Sequence, residues 1–106
     1  MIQTDYWDVI VSIFCHLPPS IRVPLHANIV KGLRKGGFLV LEAFTVEQLI
    51  YKTGGPPTAE LMMSLNDLRN EFIGLEFQHA IEKIRNIEEG KFHKGKSAVV
   101  QVLAIK

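Results

Sequence analysis

Two apolar runs decide the fold of this chain. Residues 7–15 read WDVIVSIFC and residues 38–44 read FLVLEAF. Both runs are apolar on both faces and rich in β-branched or aromatic side chains, which is typical of strands buried inside a parallel sheet. The pair Pro18–Pro19 has to end the first strand, because proline cannot donate a hydrogen bond to a ladder.

The segment between these runs predicts a helix over Ser20 to Arg34. Its apolar side chains recur every four residues and form one stripe: Ile21, Leu25, Ile29, Leu33. Its other faces carry polar residues: Arg22, His26, Asn28, Lys31. We expect Gly36 and Gly37 to stop the helix in a left-handed conformation. A strand, a helix and a second strand make a βαβ unit with a right-handed crossover.

A loose stretch follows the second run, and Thr53–Pro57 within it is a strong loop signal. Ser64 and Asp67 then form an imperfect capping box for a short helix, which Gly74 stops.

The last third of the chain contains one ambiguous segment, Leu75 to Glu89. Its apolar spacing fits a helix as well as a strand, and the periodicity alone favours a helix. Glu89 to Lys96 predicts a turn, and Ser97 to Ile105 predicts a final strand.

The composition is that of one globular domain. The chain has 106 residues, of which 47% are hydrophobic, and a formal net charge of +1. This charge balance argues against a basic nucleic-acid surface. We expect no signal peptide and no membrane span, since the first residues lack a basic segment and no apolar run approaches the roughly 20 residues that cross a bilayer. Cys15 is the only cysteine; this excludes an intrachain disulfide and favours the cytoplasm.

Cys15 and His16 follow the first strand at its carboxyl end, where open α/β sheets bind ligands. A thiol and an imidazole at this edge could contact a substrate. Adjacent strand residues point to opposite faces, so a hydrogen bond between the two side chains is not expected. The alternative is structural, with a buried cysteine acting as a small hydrophobe and a histidine capping the turn.

Other ligand chemistries find little support in the sequence. The histidines have no short metal-ligand spacing among them, and we expect no metal: His16, His26, His79, His93. The glycine pairs at 36–37 and 54–55 do not form a phosphate loop. Residues 35–44 are faintly similar to an RNA-binding strand, but the aromatics are misplaced and Glu42 would repel phosphate, so we expect no nucleic acid.

The ordered series of segments resembles part of a class I S-adenosylmethionine-dependent methyltransferase. Residues 8–12 (DVIVS) match the fourth strand of that family, and residues 32–41 (GLRKGGFLVL) match its LKPGG-LVL segment before the fifth strand. Several further segments resemble the bacterial tellurite-resistance or thiopurine-type subgroup: FCHLP at 14–18, EAFT at 42–45, TGGP at 53–56, and the loop with Gly90, His93 and Gly95. The resemblance covers nearly the whole chain.

The resemblance implies an α/β fold. The expected fold is the C-terminal half of a Rossmann-like methyltransferase sheet with flanking helices. This half contains strands four to seven, and the last of them is antiparallel. Leu75 to about Ile87 becomes the sixth strand, with a bulge where its alternation slips. The family's acidic-x-Gly-x-Gly loop and its ribose-binding acidic residue have no counterpart here. Residues 1–106 are therefore predicted to be a single partial domain that lacks the N-terminal cofactor-binding half.

For function, the resemblance implies a fragment of an enzyme that transfers a methyl group from S-adenosylmethionine to a small-molecule acceptor. Phe14 and Cys15 would line the cofactor pocket, and His16 and His93 are candidate catalytic bases. The substrate side would carry three further residues: Arg22, Thr45, Tyr51. Catalysis would rest on positioning in a dry site. The isolated chain is expected to be inactive and to bind the cofactor weakly or not at all; tellurite, thiols, halides and small oxygen or nitrogen nucleophiles stay open as acceptors.

The alternative function is a non-enzymatic truncated paralogue that serves as an association module. In the family the fourth strand is central and pairs with the first. Here that side of residues 8–14 would be an edge, apolar on both faces and without proline or internal charge to blunt it. We therefore predict a homo-oligomer through residues 8–14, in which the sheet can continue across two chains.

Overall fold

The computed structural model describes residues 3–51, 58–88 and 94–106. In chain order its elements are β1 Trp7–Ile13, α1 Pro19–Gly32, β2 Leu33–Phe44, α2 Gln48–Tyr51, a 3₁₀ turn at Ala59–Leu61, α3 Leu65–Glu71, β3 Glu76–Glu88 and β4 Lys94–Ile105. The strands form one mixed sheet in the order β1-β2-β4-β3. β1 and β2 are parallel neighbours that α1 connects, and β4 runs antiparallel to both of its neighbours. This arrangement confirms the predicted fold class.

β3 is a strand, as the resemblance implied, and the helix favoured by periodicity was wrong. It pairs with β4 from Glu76 to Glu88, and the register shifts between Phe77 and His79, where the bulge was expected. This shift changes the alternation of the apolar side chains. The long ladder with β4 satisfies the backbone of the segment, and no local spacing rule accounts for that pairing.

The glycine pair lies inside β2, so its predicted role as a helix stop was wrong. α1 already ends at Gly32, and the strand begins at Leu33. Gly36 has a φ of +86°, and a Cβ on Gly37 would come within 2.9 Å of the Asp8 carbonyl oxygen. The two glycines therefore allow a bulge where β2 comes very close to β1, and the register shifts at this point of the ladder.

The two faces of the sheet are covered differently. α1 and α3 pack on one face and bury the main apolar core with β2 and β4: Ile29, Leu39, Leu41, Leu68, Phe72, Val100, Val102. The other face, which we call the open face, presents exposed apolar side chains from three strands: Val9, Val11, Ile13, Phe38, Ile81.

The buried side of α1 differs from the predicted apolar stripe. Ile29 is buried as expected, but Ile21 is 55% exposed, while Arg22 and His26 are 5% and 2% exposed. Both polar side chains turn inward because α3 supplies the carboxylate of Glu71 opposite them.

The capping box of α3 is confirmed. Ser64 Oγ accepts a hydrogen bond from the Asp67 backbone N–H at 3.0 Å, and Asp67 Oδ2 accepts one from the Ser64 backbone N–H at 3.2 Å. The chain turns after the helix at Gly74, whose φ is +104°. Within the described residues, none of the helices is long and apolar enough to cross a membrane.

Candidate functional site

An aromatic cluster occupies the carboxyl ends of β1 and β2, where the sequence predicted the site. The rings of Phe14 and Phe44 stack with centroids 4.6 Å apart, and the imidazole of His16 stacks on Phe44 at 5.4 Å. The three rings are nearly parallel, with interplanar angles of 16–17°. The parallel pairing of β1 and β2 produces this cluster because it brings both carboxyl ends to the same edge of the sheet.

The backbone at Phe14 turns the end of β1 toward β2. Phe14 has a φ of +51°, which bulky residues rarely adopt. Its N–H donates to the Glu42 carbonyl oxygen at 2.7 Å, so the strained residue is held by the last part of the ladder. Strained backbone of this kind is often found at functional sites.

His16 is anchored to β2 through one ring nitrogen. The Phe44 backbone N–H donates to His16 Nε2 at 2.9 Å. An accepting Nε2 carries no proton, so the neutral ring carries its proton on Nδ1. While this hydrogen bond is intact, the Nε2 lone pair is engaged, and the geometry favours a positioning role for His16 over that of a general base.

Thr45 and Tyr51 lie just after β2. Thr45 is 4% exposed, and its N–H donates to the Ala98 carbonyl oxygen at 2.9 Å. A hydrogen bond from Thr45 lowers the pKa of the exposed Glu47 carboxyl. Thr45 and Glu47 help to line a shallow pocket of about 210 Å³ beside β3. Tyr51 is half-buried at the end of α2, and Cys15 is exposed.

Arg22 lies away from the aromatic rings, between α1 and α3. Its guanidinium forms a bidentate pair with Glu71, at 3.0 and 2.8 Å, and donates to the Met62 carbonyl oxygen at 3.1 Å. His26 Nδ1 lies 2.8 Å from Glu71 Oε1, and its ring stacks on Phe72. Burial lowers the pKa of His26 although Glu71 opposes that shift. The side chain predicted to contact substrate is thus held in a buried ion pair.

A second polar group, which the sequence reading missed, lies on the open face. Glu42 accepts two hydrogen bonds from Arg85, both at 2.8 Å, and one from Gln101 Nε2 at 2.9 Å. Burial would raise the pKa of Glu42, but the hydrogen bonds from Arg85 and Gln101 lower it below its ordinary value. The signal available in the sequence was a lone carboxylate inside an otherwise apolar strand.

The second candidate base, His93, lies outside the described residues. Among the residues that the structure does describe, no group of three or more histidine, cysteine, aspartate or glutamate side chains could hold a metal ion.

Known proteins that match this chain are found among solved structures. No model of a known protein family matches the sequence, and no curated protein does. Several solved structures align with nearly all of the chain. TehB from Haemophilus influenzae aligns with a TM-score of 0.73 at 19% identity, over 98% of this chain and 37% of its own. A SAM-dependent methyltransferase from Methanosarcina mazei aligns at 0.68 and 14% identity, over 99% of this chain and 61% of its own.

The chain has the fold of the aligned parts of these two proteins. A third structure, described for the conversion of a disulfide bond into a thioacetal group during echinomycin biosynthesis, aligns at 0.68 and 9% identity over 97% of this chain. The chain spans 50% of that protein, and across the three structures between 37% and 61% of their lengths. At these identities the likeness establishes the fold alone.

Proposed function

We propose that this chain is the C-terminal, acceptor-side part of an S-adenosylmethionine-dependent methyltransferase that acts on a small molecule in the cytoplasm. The observation that carries the proposal is the sheet order, with an antiparallel β4 inserted between the parallel strands β2 and β3. The similarity to TehB supports the tellurite-resistance branch of the sequence resemblance.

The chain's residues suit only part of a cofactor site. The ring of Phe14 and the exposed Cys15 offer a floor at the carboxyl end of β1. The nearby Glu42 carboxylate is engaged by Arg85 and Gln101, so it is not available to hold ribose hydroxyls. S-adenosylmethionine, when bound, supplies an electrophilic methyl group. Most of the residues that bind this cofactor would lie outside residues 1–106.

On the acceptor side, Thr45, Tyr51 and His93 stay as candidate substrate or base residues in this proposal. His16 would orient the aromatic cluster through its bond to Phe44. Arg22 would act indirectly, by fixing α1 against α3 beneath the site. Catalysis would then rest on holding the acceptor in line with the methyl group in a site that excludes water.

Two measurements test the proposal. Isothermal titration of S-adenosylmethionine into residues 1–106 should give no micromolar binding, and such binding would contradict the fragment assignment. A protein extended upstream of Met1 should bind the cofactor and methylate at least one member of a panel of tellurite, thiols, halides and small amines. An extended protein that does neither would contradict the methyltransferase assignment.

Matched variants of the extended protein separate the two roles of His16. A glutamine can accept the Phe44 hydrogen bond through its amide oxygen but cannot act as a base, whereas an alanine does neither. If His16 is a positioning residue, His16→Gln should keep most of kcat and His16→Ala should lose most of kcat. If His16 is a base, both variants should lose most of kcat and the pH profile of kcat should change. His79→Gln, at an exposed histidine on β3, is the control.

The exposed apolar edge of β1 favours a second candidate function, a non-enzymatic association module. The reading frame upstream of Met1 distinguishes the two. A Gly-x-Gly coding stretch there supports the enzyme, and an unrelated gene supports the module.

A further inference from the structure

At the carboxyl end of β2, side chains take over hydrogen bonds from the backbone on both sides of the strand. On the β1 side, the Phe44 backbone N–H donates to His16 Nε2 at 2.9 Å. On the β4 side, the Ala98 backbone N–H donates to Gln48 Oε1, also at 2.9 Å. The first contact involves a candidate site residue. The second is buried and involves Gln48, to which neither the sequence pattern nor the aromatic cluster assigns a role.

The amide oxygen of Gln48 takes the place of a backbone carbonyl. Beyond the last pair of the β2–β4 ladder, the Thr45 N–H still donates to the Ala98 carbonyl oxygen at 2.9 Å. In a regular antiparallel pair, the Ala98 N–H would donate to the Thr45 carbonyl oxygen in return. That oxygen instead accepts the Gln48 N–H at 3.0 Å, as the chain turns into α2. The side chain of Gln48 therefore satisfies the N–H that the turn leaves over.

Two contacts hold α2 against the rest of the molecule. Gln48 is 1% exposed, so its hydrogen bond to β4 is shielded from water. Leu49 packs against the apolar cluster that contains Phe44. Tyr51, one of the candidate acceptor-side residues, is the last residue of the same four-residue helix. A helix this short has little stability of its own, so its position depends on these contacts.

We propose that Gln48 is a positioning residue for the acceptor side of the proposed methyltransferase site. The inference rests on that proposed function and adds one residue to it. The bond from Ala98 to Gln48 lets the chain leave the sheet at Thr45 and fixes α2 there. It also shapes the pocket of about 210 Å³ beside β3, because Thr45 and Ala98 both line it. The lining residues that the structure describes do not include Gln48, so it acts through these neighbours rather than on the substrate.

Amide hydrogen exchange of the chain tests the contact. Gln48→Met keeps the length of the side chain but removes the amide oxygen, so the Ala98 N–H loses its acceptor. Its exchange should become at least about tenfold faster. The N–H of Val100, which pairs with β2 further along β4, should keep its rate. Unchanged exchange at Ala98 would refute the contact, and equal acceleration at both amides would overturn a role confined to the turn into α2.

The ring signals of Tyr51 in nuclear magnetic resonance spectra report the position of α2. They should shift in Gln48→Met, because α2 loses one of its two contacts. The matched control is Gln78→Met, the same substitution at an exposed glutamine of β3, and it should leave them in place. Unshifted Tyr51 signals in Gln48→Met, or an equal shift in both variants, would contradict the positioning role.

Kinetics of the protein extended upstream of Met1 test the link to function. In Gln48→Met, kcat/KM for the acceptor should fall at least about tenfold, while the Kd of S-adenosylmethionine stays within about twofold of the parent value. Gln78→Met should change neither. An unchanged kcat/KM, or an equal loss of cofactor affinity, would overturn the acceptor-side role. An extended parent protein that methylates nothing would contradict the proposed function instead, and the exchange and resonance measurements would still decide whether Gln48 positions α2.

Discussion

On each face of the sheet a glutamate pairs with an arginine, but the two pairs differ in their exposure and in the elements that they join. On the covered face, Arg22, Glu71 and His26 lock two helices together, and the Glu71 side chain is only 9% exposed. On the open face, the Glu42 and Arg85 side chains pair across strands of the sheet and are 13% and 31% exposed. The covered face is thus already packed against helices, whereas the open face still exposes apolar side chains.

The largest effect should come from breaking the buried ion pair. Glu71→Gln leaves the Arg22 guanidinium buried without a countercharge, and removing one partner of such a pair costs about 3–5 kcal/mol of unfolding free energy. Urea denaturation measures the loss. Glu60→Gln, at an exposed carboxylate in the 3₁₀ turn, should change stability by less than about 0.5 kcal/mol. Equal effects of the two variants would contradict the importance of the cluster.

A core truncation compares the apolar parts of the two faces. Leu41 is 2% exposed on the covered face, and Leu41→Ala should destabilise the chain by about 2–5 kcal/mol. Val9→Ala on the open face, where the side chain is 41% exposed, should cost clearly less in the monomer. The midpoints of chemical denaturation at low protein concentration measure both. A Val9 cost as large as that of Leu41 would show that the open face is already covered.

Removing the open-face charge should have a smaller effect. Glu42→Gln loses the charge-assisted hydrogen bonds from Arg85, but partial exposure of the pair weakens their contribution to about 1 kcal/mol. The same denaturation experiment measures it. A loss as large as that of Glu71→Gln would mean that the two clusters are equivalent, which their exposure argues against.

The pH dependence of stability distinguishes His26, on the covered face, from Glu42, on the open face. Burial lowers the pKa of His26 below 6.5 in the folded chain, so the unfolded chain takes up a proton first as the pH falls. Stability from this group is full above pH 6.5 and decreases as the pH falls below it. For Glu42, although burial opposes the shift, the hydrogen bonds from Arg85 lower the pKa below 4.5, and its contribution is lost only as the pH falls below that value.

Denaturation midpoints measured from neutral pH downward check this order. His26→Gln should remove the decline that begins near pH 6.5, and His79→Gln should keep it. A decline that is unchanged in His26→Gln would assign it to another group.

The elements predicted correctly share a local signal. Ser64 and Asp67 sit three residues apart at the start of a helix, and the structure contains their capping box. The two apolar runs became parallel strands because their composition suits a sheet interior and the helix between them provides the crossover. Topology also placed the candidate site at the carboxyl end of β1, and that assignment stays a prediction; the stacking of His16 on Phe44 had no signal in the sequence.

The failures all involve a partner distant in the sequence. Leu75–Glu89 has helical spacing, and only the ladder with β4 makes it a strand. Arg22 was expected on a polar face of α1, and the Glu71 carboxylate that pairs with it and buries it lies 49 residues away. Gly36 and Gly37 were assigned to a helix end, but they serve a bulge formed against β1.

The sequence by itself determined the capping of α3 and the βαβ unit, since these depend on composition, spacing and capping within a few residues. Only the tertiary structure decided which charges are buried, where the glycine bulge lies and which face of the sheet stays open. The physical reason is that burial and ladder pairing are properties of two segments at once, and neither segment's own sequence specifies its partner.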